Sequence, residues 1–251
     1  MRYLVISDIH ANLQALEAVL ADARVARFDH VLCLGDLVGY GADPEAVVAR
    51  ILQLTPLSVI RGNHDKVAAG LEPAWDFHDQ ARQAIEWTTR ALSSGSIETL
   101  RALAKGPVEV TPEIWICHGA PFDEDHYVFD ARDASRALAG GPLALTLFGH
   151  THVPAAFAGA RRGIDVLLPD LSPDHPDVHV LEWDRSRPML VNVGAVGQPR
   201  DGDPRAAYGI VDAAANVIEF RRVEYDIKTA QERILAAGLP ERLAMRLDRG
   251  A

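Results

Sequence analysis

The chain has 251 residues, of which 48% are hydrophobic and 24% charged, the composition of a globular protein with enough material for a substantial core. Its formal charge of −10 argues against a nucleic-acid polymer as main partner, because such binders carry basic faces. A small phosphorylated substrate stays open, provided the site itself supplies positive charge.

The N-terminus enters a strand pattern at once, over residues 2–7, and the strand ends in Ser7-Asp8-Ile9-His10. No signal-peptide layout or bilayer-length apolar run is present, so a cytoplasmic protein without a membrane partner is expected. Asn12 precedes a helical stripe of Leu13, Leu16, Val19 and Leu20 running to about residue 26. The apolar run Val31-Leu32-Cys33-Leu34 leads into Gly35-Asp36, as in a strand buried on both faces that presents a carboxylate at its tip. After the turn Gly39-Tyr40-Gly41, Asp43-Pro44-Glu45 opens a second helix, with Asp as N-cap and Pro in the first turn. A third strand over residues 57–60 ends in Arg61-Gly62-Asn63-His64-Asp65. Strand and helix alternating through short links predict parallel strands with their polar tips on one edge, where ligands bind in α/β sheets.

Residues 66–105 read as packing helices, with Ile85, Trp87, Leu92, Leu100 and Leu103 as core contacts and partial cover of the site as the alternative. Strands follow at 107–111 and 114–117, the second ending in His118-Gly119. Residues 122–130 form a loop, 131–138 a helix, and the apolar run 143–148 ends in Gly149-His150-Thr151-His152. The texture then turns to β, at 155–157, 164–168, 178–183, 189–193, 208–211 and 217–225, before two closing helices at 226–237 and 240–249. Without repeats or a linker, a single domain over residues 1–251 is expected, the last two helices being an appended pair. Cys33 and Cys117 lie in strand-like runs and read as buried free thiols.

The strand-end groups are Asp8, His10, Asp36, Asn63, His64, His118, His150 and His152. Imidazole, carboxylate and amide oxygen together suit divalent Mn, Fe, Ni or Zn better than Ca or Mg. So many donors exceed the needs of one tetrahedral ion and fit two ions sharing a carboxylate. Two ions of charge +2 against two carboxylates make the centre positive inside an acidic protein. Each motif alone is a weak signal, since Asp-x-His, Gly-Asn-His-Asp and His-x-His all occur in ordinary turns.

Taken in order, Asp8-x-His10, Gly35-Asp36, Gly62-Asn63-His64-Asp65, His118-Gly119 and Gly149-His150-Thr151-His152 resemble the motif series of the calcineurin-like metallophosphoesterases. The run from Asn192-Val193-Gly194 to Arg205 resembles a signature of their compact bacterial branch, whose members are often labelled phosphodiesterase or diadenosine tetraphosphatase-like. The resemblance implies a four-layer αββα sandwich of two mixed β-sheets flanked by helices. It implies that Asp8, His10, Asp36 and His152 hold one ion and Asp36, Asn63, His118 and His150 the other, with manganese the first choice of metal. It also implies that a hydroxide shared by the two ions attacks phosphorus while His64 donates a proton or hydrogen bond to the reacting phosphate.

One position departs from the pattern. Protein phosphatases of the superfamily carry an aspartate three residues after the bridging Asp, where it orients the histidine; here that position is Gly39. Asp65 or backbone is left to orient His64, and a protein-phosphatase reading weakens. Arg200, Asn12 and Arg61 are candidate substrate contacts, with a helix cap as the alternative for Asn12 and a surface ion pair for Arg61. Tyr40, His126 and Tyr127 are candidate pocket walls for which surface packing is the preferred reading. His30, His78, His175 and His179 read as ordinary structural histidines.

The expected function is metal-dependent hydrolysis of a phosphodiester in a small phosphorylated or nucleotide substrate, the alternatives being a phosphomonoester or a dinucleoside polyphosphate. A nucleotide-binding sensor or a scaffold on the same fold is the non-enzyme alternative, disfavoured by the complete donor set. Leu239, Leu243 and Leu247 form a stripe that suits either core packing or a homodimer.

Overall fold

The computed structural model describes residues 1–139, 145–171 and 177–251. Its first sheet contains β1 (Arg2–Ile6), β2 (His30–Cys33), β3 (Leu57–Val59), β9 (Val178–Glu182), β11 (Ala206–Asp212) and β12 (Val217–Val223), in the order β3-β2-β1-β11-β12-β9. The second contains β4 (Val108–Thr111), β5 (Ile114–Ile116), β6 (Leu145–Phe148), β7 (Ala155–Gly159), β8 (Ile164–Leu167) and β10 (Met189–Asn192), in the order β4-β5-β6-β10-β7-β8. β1, β2 and β3 are mutually parallel, whereas β1 meets β11 antiparallel. β5, β6 and β10 are likewise parallel, and β10 meets β7 antiparallel. Both sheets are mixed and flanked by helices, as expected.

The period-2 alternation of buried strands builds the layers. Val5 and Leu32 face the second sheet and pack with Ile116, Leu145, Leu147, Val191 and Phe220. Their neighbours Leu4, Ile6, Val31 and Cys33 face outward onto Leu16, Val19 and Leu20 of α1 (Leu13–Ala26) and Val47, Val48 and Ile51 of α2 (Pro44–Leu52). On the far side, Phe148, Phe157 and Leu190 pack against Ala134 and Ala137 of α6 (Ala131–Leu138). Cys33 and Cys117 are buried free thiols, and burial pushes the Cys33 pKa up to about 12.

Two stretches differ from the sequence expectation. Residues 66–105 hold the expected packing helices, α3 (Asn63–Ala68), α4 (Asp79–Ala91) and α5 (Ser94–Ala102), but a non-helical strap over residues 71–78 interrupts them and carries Pro73 beside the site. Pro73 lacks an N–H and fixes its φ, and Gly70 at φ +70° ends α3 just before it. At the other end, α7 (Ile227–Ala236) is followed by a short α8 (Glu241–Met245), not by a helix to 249. The chain leaves the helix to pair with the 202 loop, Gly202 N–H donating to Gly250 O at 2.8 Å. Leu239, Leu243 and Leu247 are buried against Tyr40, Ala81, Ala84, Ala230 and Ile234, so the stripe is core and is not available as a dimer face. The expected strand start at residues 143–144, and His175, lie outside the described residues. Among the described residues no helix is long and apolar enough to cross a membrane.

Candidate metal centre

β1, β2, β5 and β6 end on the same edge, and the turns that follow them carry the polar groups. Two donor sets result. Asp8, His10, Asp36 and His152 offer ligand atoms that all lie within 4.8 Å of one another, and so do Asp36, His118 and His150. Asp36 belongs to both. Its Oδ2 lies 3.5 Å from His10 Nε2 and 3.4 Å from His118 Nε2, while Asp8 Oδ1 lies 3.4 Å from His152 Nε2. The amide of Asn63 joins the second set, its Oδ1 sitting 3.2 Å from His118 Nε2.

The imidazoles are aimed by backbone carbonyls. His10 Nδ1 faces Val38 O at 3.1 Å, His118 Nδ1 faces Leu34 O at 2.8 Å, and His152 Nδ1 faces Gln198 O at 2.6 Å. A carbonyl only accepts, so each Nδ1 carries the proton and each Nε2 turns inward, the arrangement that fixes metal-ligating histidines. His150 is reversed: its Nε2 faces Asp125 O at 3.1 Å, leaving Nδ1 for the centre. His10 and His152 therefore bring two Nε2 lone pairs to 3.1 Å of each other. Neither ring can donate to the other, so the contact is repulsive between the rings and matched to a cation between them. Opposed imidazole lone pairs beside buried carboxylates fit a divalent cation.

Electrostatics agree for three of the four imidazoles; burial would lower His118 as well, but Asp36 and Asp8 push it up to about 10, so its Nε2 keeps a proton that a bound cation would displace. Burial holds His10 and His152 well below the usual histidine range, and burial followed by the charge of His118 lowers His150 to about 3, so all three present lone pairs. Burial alone would raise Asp36, but His118 and His64 hold it well below the usual carboxylate range. Burial and the charge of Asp36 raise Asp8 to about 6, a strain that neighbouring positive charge would relieve.

The backbone adopts conformations that residue identity did not announce. Asp8, His10, Asp36, His150 and His152 have φ of 52°, 48°, 53°, 67° and 62°. Left-handed non-glycine residues are uncommon and cost about 1–3 kcal/mol each. Cross-strand bonds hold them, including His10 N–H to Asp36 O at 2.9 Å and His150 N–H to the Asp8 carboxylate at 3.1 Å. Gly62 allows the third turn to close on the second: a Cβ there would lie 2.2 Å from Asp36 Oδ1.

His64 is buried beside the first donor set. Its N–H donates to Asp36 Oδ1 at 2.9 Å, and its ring lies 4.5 Å from Tyr40, 4.5 Å from Phe77 and 4.8 Å from His10. Asp65 does not orient it, because its carboxylate accepts from Gly62 N–H at 2.9 Å and Val38 N–H at 3.2 Å. Ring packing and the bare Gly39 do so instead: a Cβ at Gly39 would lie 2.3 Å from His64 Nδ1.

The tentative substrate contacts divide. Arg200 lines the pocket above the centre, hydrogen bonds Gln198 Oε1 at 3.2 Å and Tyr127, and leaves its Nε without a partner. Arg61 takes the ion-pair alternative, bonding Glu124 through two contacts of 3.2 Å. Asn12 takes the helix-cap alternative. Its Oδ1 caps α1 by accepting from Ala15 N–H at 3.1 Å, and its amide donates to Gly197 O at 2.9 Å. Tyr40 and Tyr127, read as surface packing, wall the pocket, Tyr127 stacking on His150 at 3.9 Å. His126 packs on Phe122 at 5.0 Å, as expected. Phe77 and His78 of the strap were missed as pocket walls. Phe77 had no periodic signal, and His78 stood outside every motif while also capping α4 through Nδ1.

Comparisons with known proteins agree with this geometry. Residues 1–216 match the calcineurin-like phosphoesterase superfamily domain. The chain is 38% identical to an uncharacterized protein of Methanocaldococcus jannaschii, MJ0912, over 97% of this chain and 96% of the other. It is also 38% identical to a metallophosphoesterase from Sphaerobacter thermophilus, whose crystal structure it covers to 99% with a TM-score of 0.84, all of this chain being included. The hypothetical protein PH1004 from Pyrococcus horikoshii shares the fold, with a TM-score of 0.77 at 21% identity over 100% of this chain and 98% of the other. The chain belongs to the calcineurin-like phosphoesterase superfamily and is a metal-binding hydrolase of phosphoric esters.

Proposed function

We propose that the protein is a phosphodiesterase acting on a small phosphorylated or nucleotide substrate at a centre of two divalent ions, with manganese the first choice. Asp8, His10, Asp36 and His152 hold one ion, and Asp36, Asn63, His118 and His150 hold the other. The observation that carries this reading is the pair of donor sets meeting at Asp36, with the lone pairs of His10 and His152 opposed across 3.1 Å. Two divalent ions held there supply Lewis acidity and the attacking nucleophile.

The chain's own residues do the rest. Asp36 fixes the spacing of the two sets and anchors the start of α3 through His64 N–H. His64, held by Tyr40, Phe77 and Gly39, offers a ring nitrogen to the phosphoryl group or leaving oxygen. Arg200 supplies the positive contact to a phosphoryl oxygen, its Nε being unpartnered. A diester is favoured over a monoester by charge. Lys66 lines the same pocket but is paired with Glu72 and Asp125, which leaves Arg200 to meet the single charge of a diester.

The test is an assay of manganese-reconstituted protein on an aryl phosphodiester, an aryl phosphomonoester, cyclic nucleotides and dinucleoside polyphosphates. The reading predicts a kcat/KM on the diester at least about tenfold above that on the monoester, a difference of about 1.4 kcal/mol. Two bound ions with turnover of no ester would contradict it and favour a sensor.

A further inference from the structure

The net charge of −10 is not evenly spread around the pocket. Next to it lies a cleft of about 650 Å³ lined by Arg242, Arg246 and Arg249 from α8 and the segment after it, with His78, Glu241 and Ala251 also in the wall. His78 lines both cavities, so the cleft opens beside the candidate metal centre. The charges also run on from one to the other. His78 feels Arg246, Arg200 and Arg242 together, and Tyr40, in the pocket wall, feels both Arg200 and Arg246.

The cleft's carboxylate, Glu241, does not neutralise three guanidinium groups. Arg246 Nε donates to Ala251 O, and among the described residues Arg249 pairs with its neighbour Asp248 at 4.0 Å. Burial first, and then the charge of Arg200, lowers Arg246 to about 10. Guanidinium forks match phosphate oxygens two at a time, and three lining one cleft suit a group with several such oxygens.

We infer that the arginine cleft is a second anion subsite, which binds a phosphate or polyphosphate group carried on the leaving-group side of the substrate. The scissile ester sits over Asp36 and Arg200, and the distal anionic group reaches past His78 to Arg242, Arg246 and Arg249. The preferred substrate is thus a small molecule with at least two phosphorylated positions. This rests on the proposed phosphoesterase reading for the scissile end and on the cleft alone for the distal end.

Arg242 and Arg249 are exposed, so their removal leaves the core intact. The double variant R242A/R249A is compared with the full wild-type chain in two measurements. The first is binding of inorganic tripolyphosphate by titration calorimetry at low salt with chelator present. The expected result is binding to wild type and to D36N alike, weakened at least tenfold in R242A/R249A and by added salt. The second is turnover by the manganese-reconstituted protein. KM for a dinucleoside polyphosphate is expected to rise about tenfold in the double variant, with kcat/KM on a bis-aryl phosphodiester unchanged within twofold. Tripolyphosphate binding that is absent, or indifferent to the two arginines, overturns the subsite. Equal loss on both substrates overturns it as well. Arginine-dependent binding in a protein that hydrolyses neither substrate supports the subsite and sinks the phosphoesterase reading instead.

Discussion

Replacing Gly39 with alanine tests how His64 is held. The residue sits at φ +90°, where an L side chain is strained, and the new Cβ would lie 2.3 Å from His64 Nδ1. Real contacts of this kind essentially never fall below 3.0 Å, so the ring must retreat by about 0.7 Å at least. Tyr40, Phe77 and His10 enclose the ring, so it cannot retreat without disturbing a packed neighbour. The backbone conformation alone costs about 1–3 kcal/mol, which for a chain of this size lowers Tm by roughly 2–12 °C. A displacement near 1 Å at a reacting geometry costs about a hundredfold in rate. The expected outcome for G39A is therefore a kcat about 100-fold below wild type on an ester with a poor leaving group, with metal content unchanged by elemental analysis. Because both changes act through one ring, G39A/H64A should be no slower than H64A. Wild-type kcat in G39A, or additive losses in the double variant, would refute the reasoning.

Two further outcomes follow from the packing. Chelation should lower Tm and manganese should restore it, because the opposed lone pairs of His10 and His152 are relieved by a cation. With metal at about 100 times its Kd the linkage is about 2.7 kcal/mol, or roughly 5–10 °C by differential scanning fluorimetry, and a Tm indifferent to chelator would contradict it. Leu243→Ala removes a fully buried side chain from the cluster under Tyr40 and α4. It should cost about 2–5 kcal/mol in urea unfolding and leave the sedimentation coefficient unaltered, whereas a near-neutral variant that changes oligomeric state would place the leucine stripe at an interface.

The donors were legible in the sequence because strand chemistry is local. Apolar runs ending in Asp8, Asp36, His118 and His150 place polar groups on one edge whatever the details of the turns. The turns themselves were not legible. Nothing in Asp-x-His says that both residues take left-handed φ, since the bonds that hold them come from residues 35 and 36, far along the chain. The same limit explains Arg61 and Asn12. Arginine beside a motif is compatible with phosphate, but Glu124, 63 positions away, decides the matter, and Gly197, 185 positions from Asn12, shares its amide. His78 was missed for a related reason: the strap from 71 to 78 has no periodicity, and only its passage over the pocket brings Phe77 and His78 into the site.

The central claim is that one carboxylate serves both halves of the centre. Elemental analysis of D36N beside H10A, after identical manganese reconstitution, tests it most directly. A shared ligand predicts that D36N falls well below one ion per chain and loses turnover, while H10A keeps about one. Two ions per chain in D36N, with wild-type turnover, would contradict it.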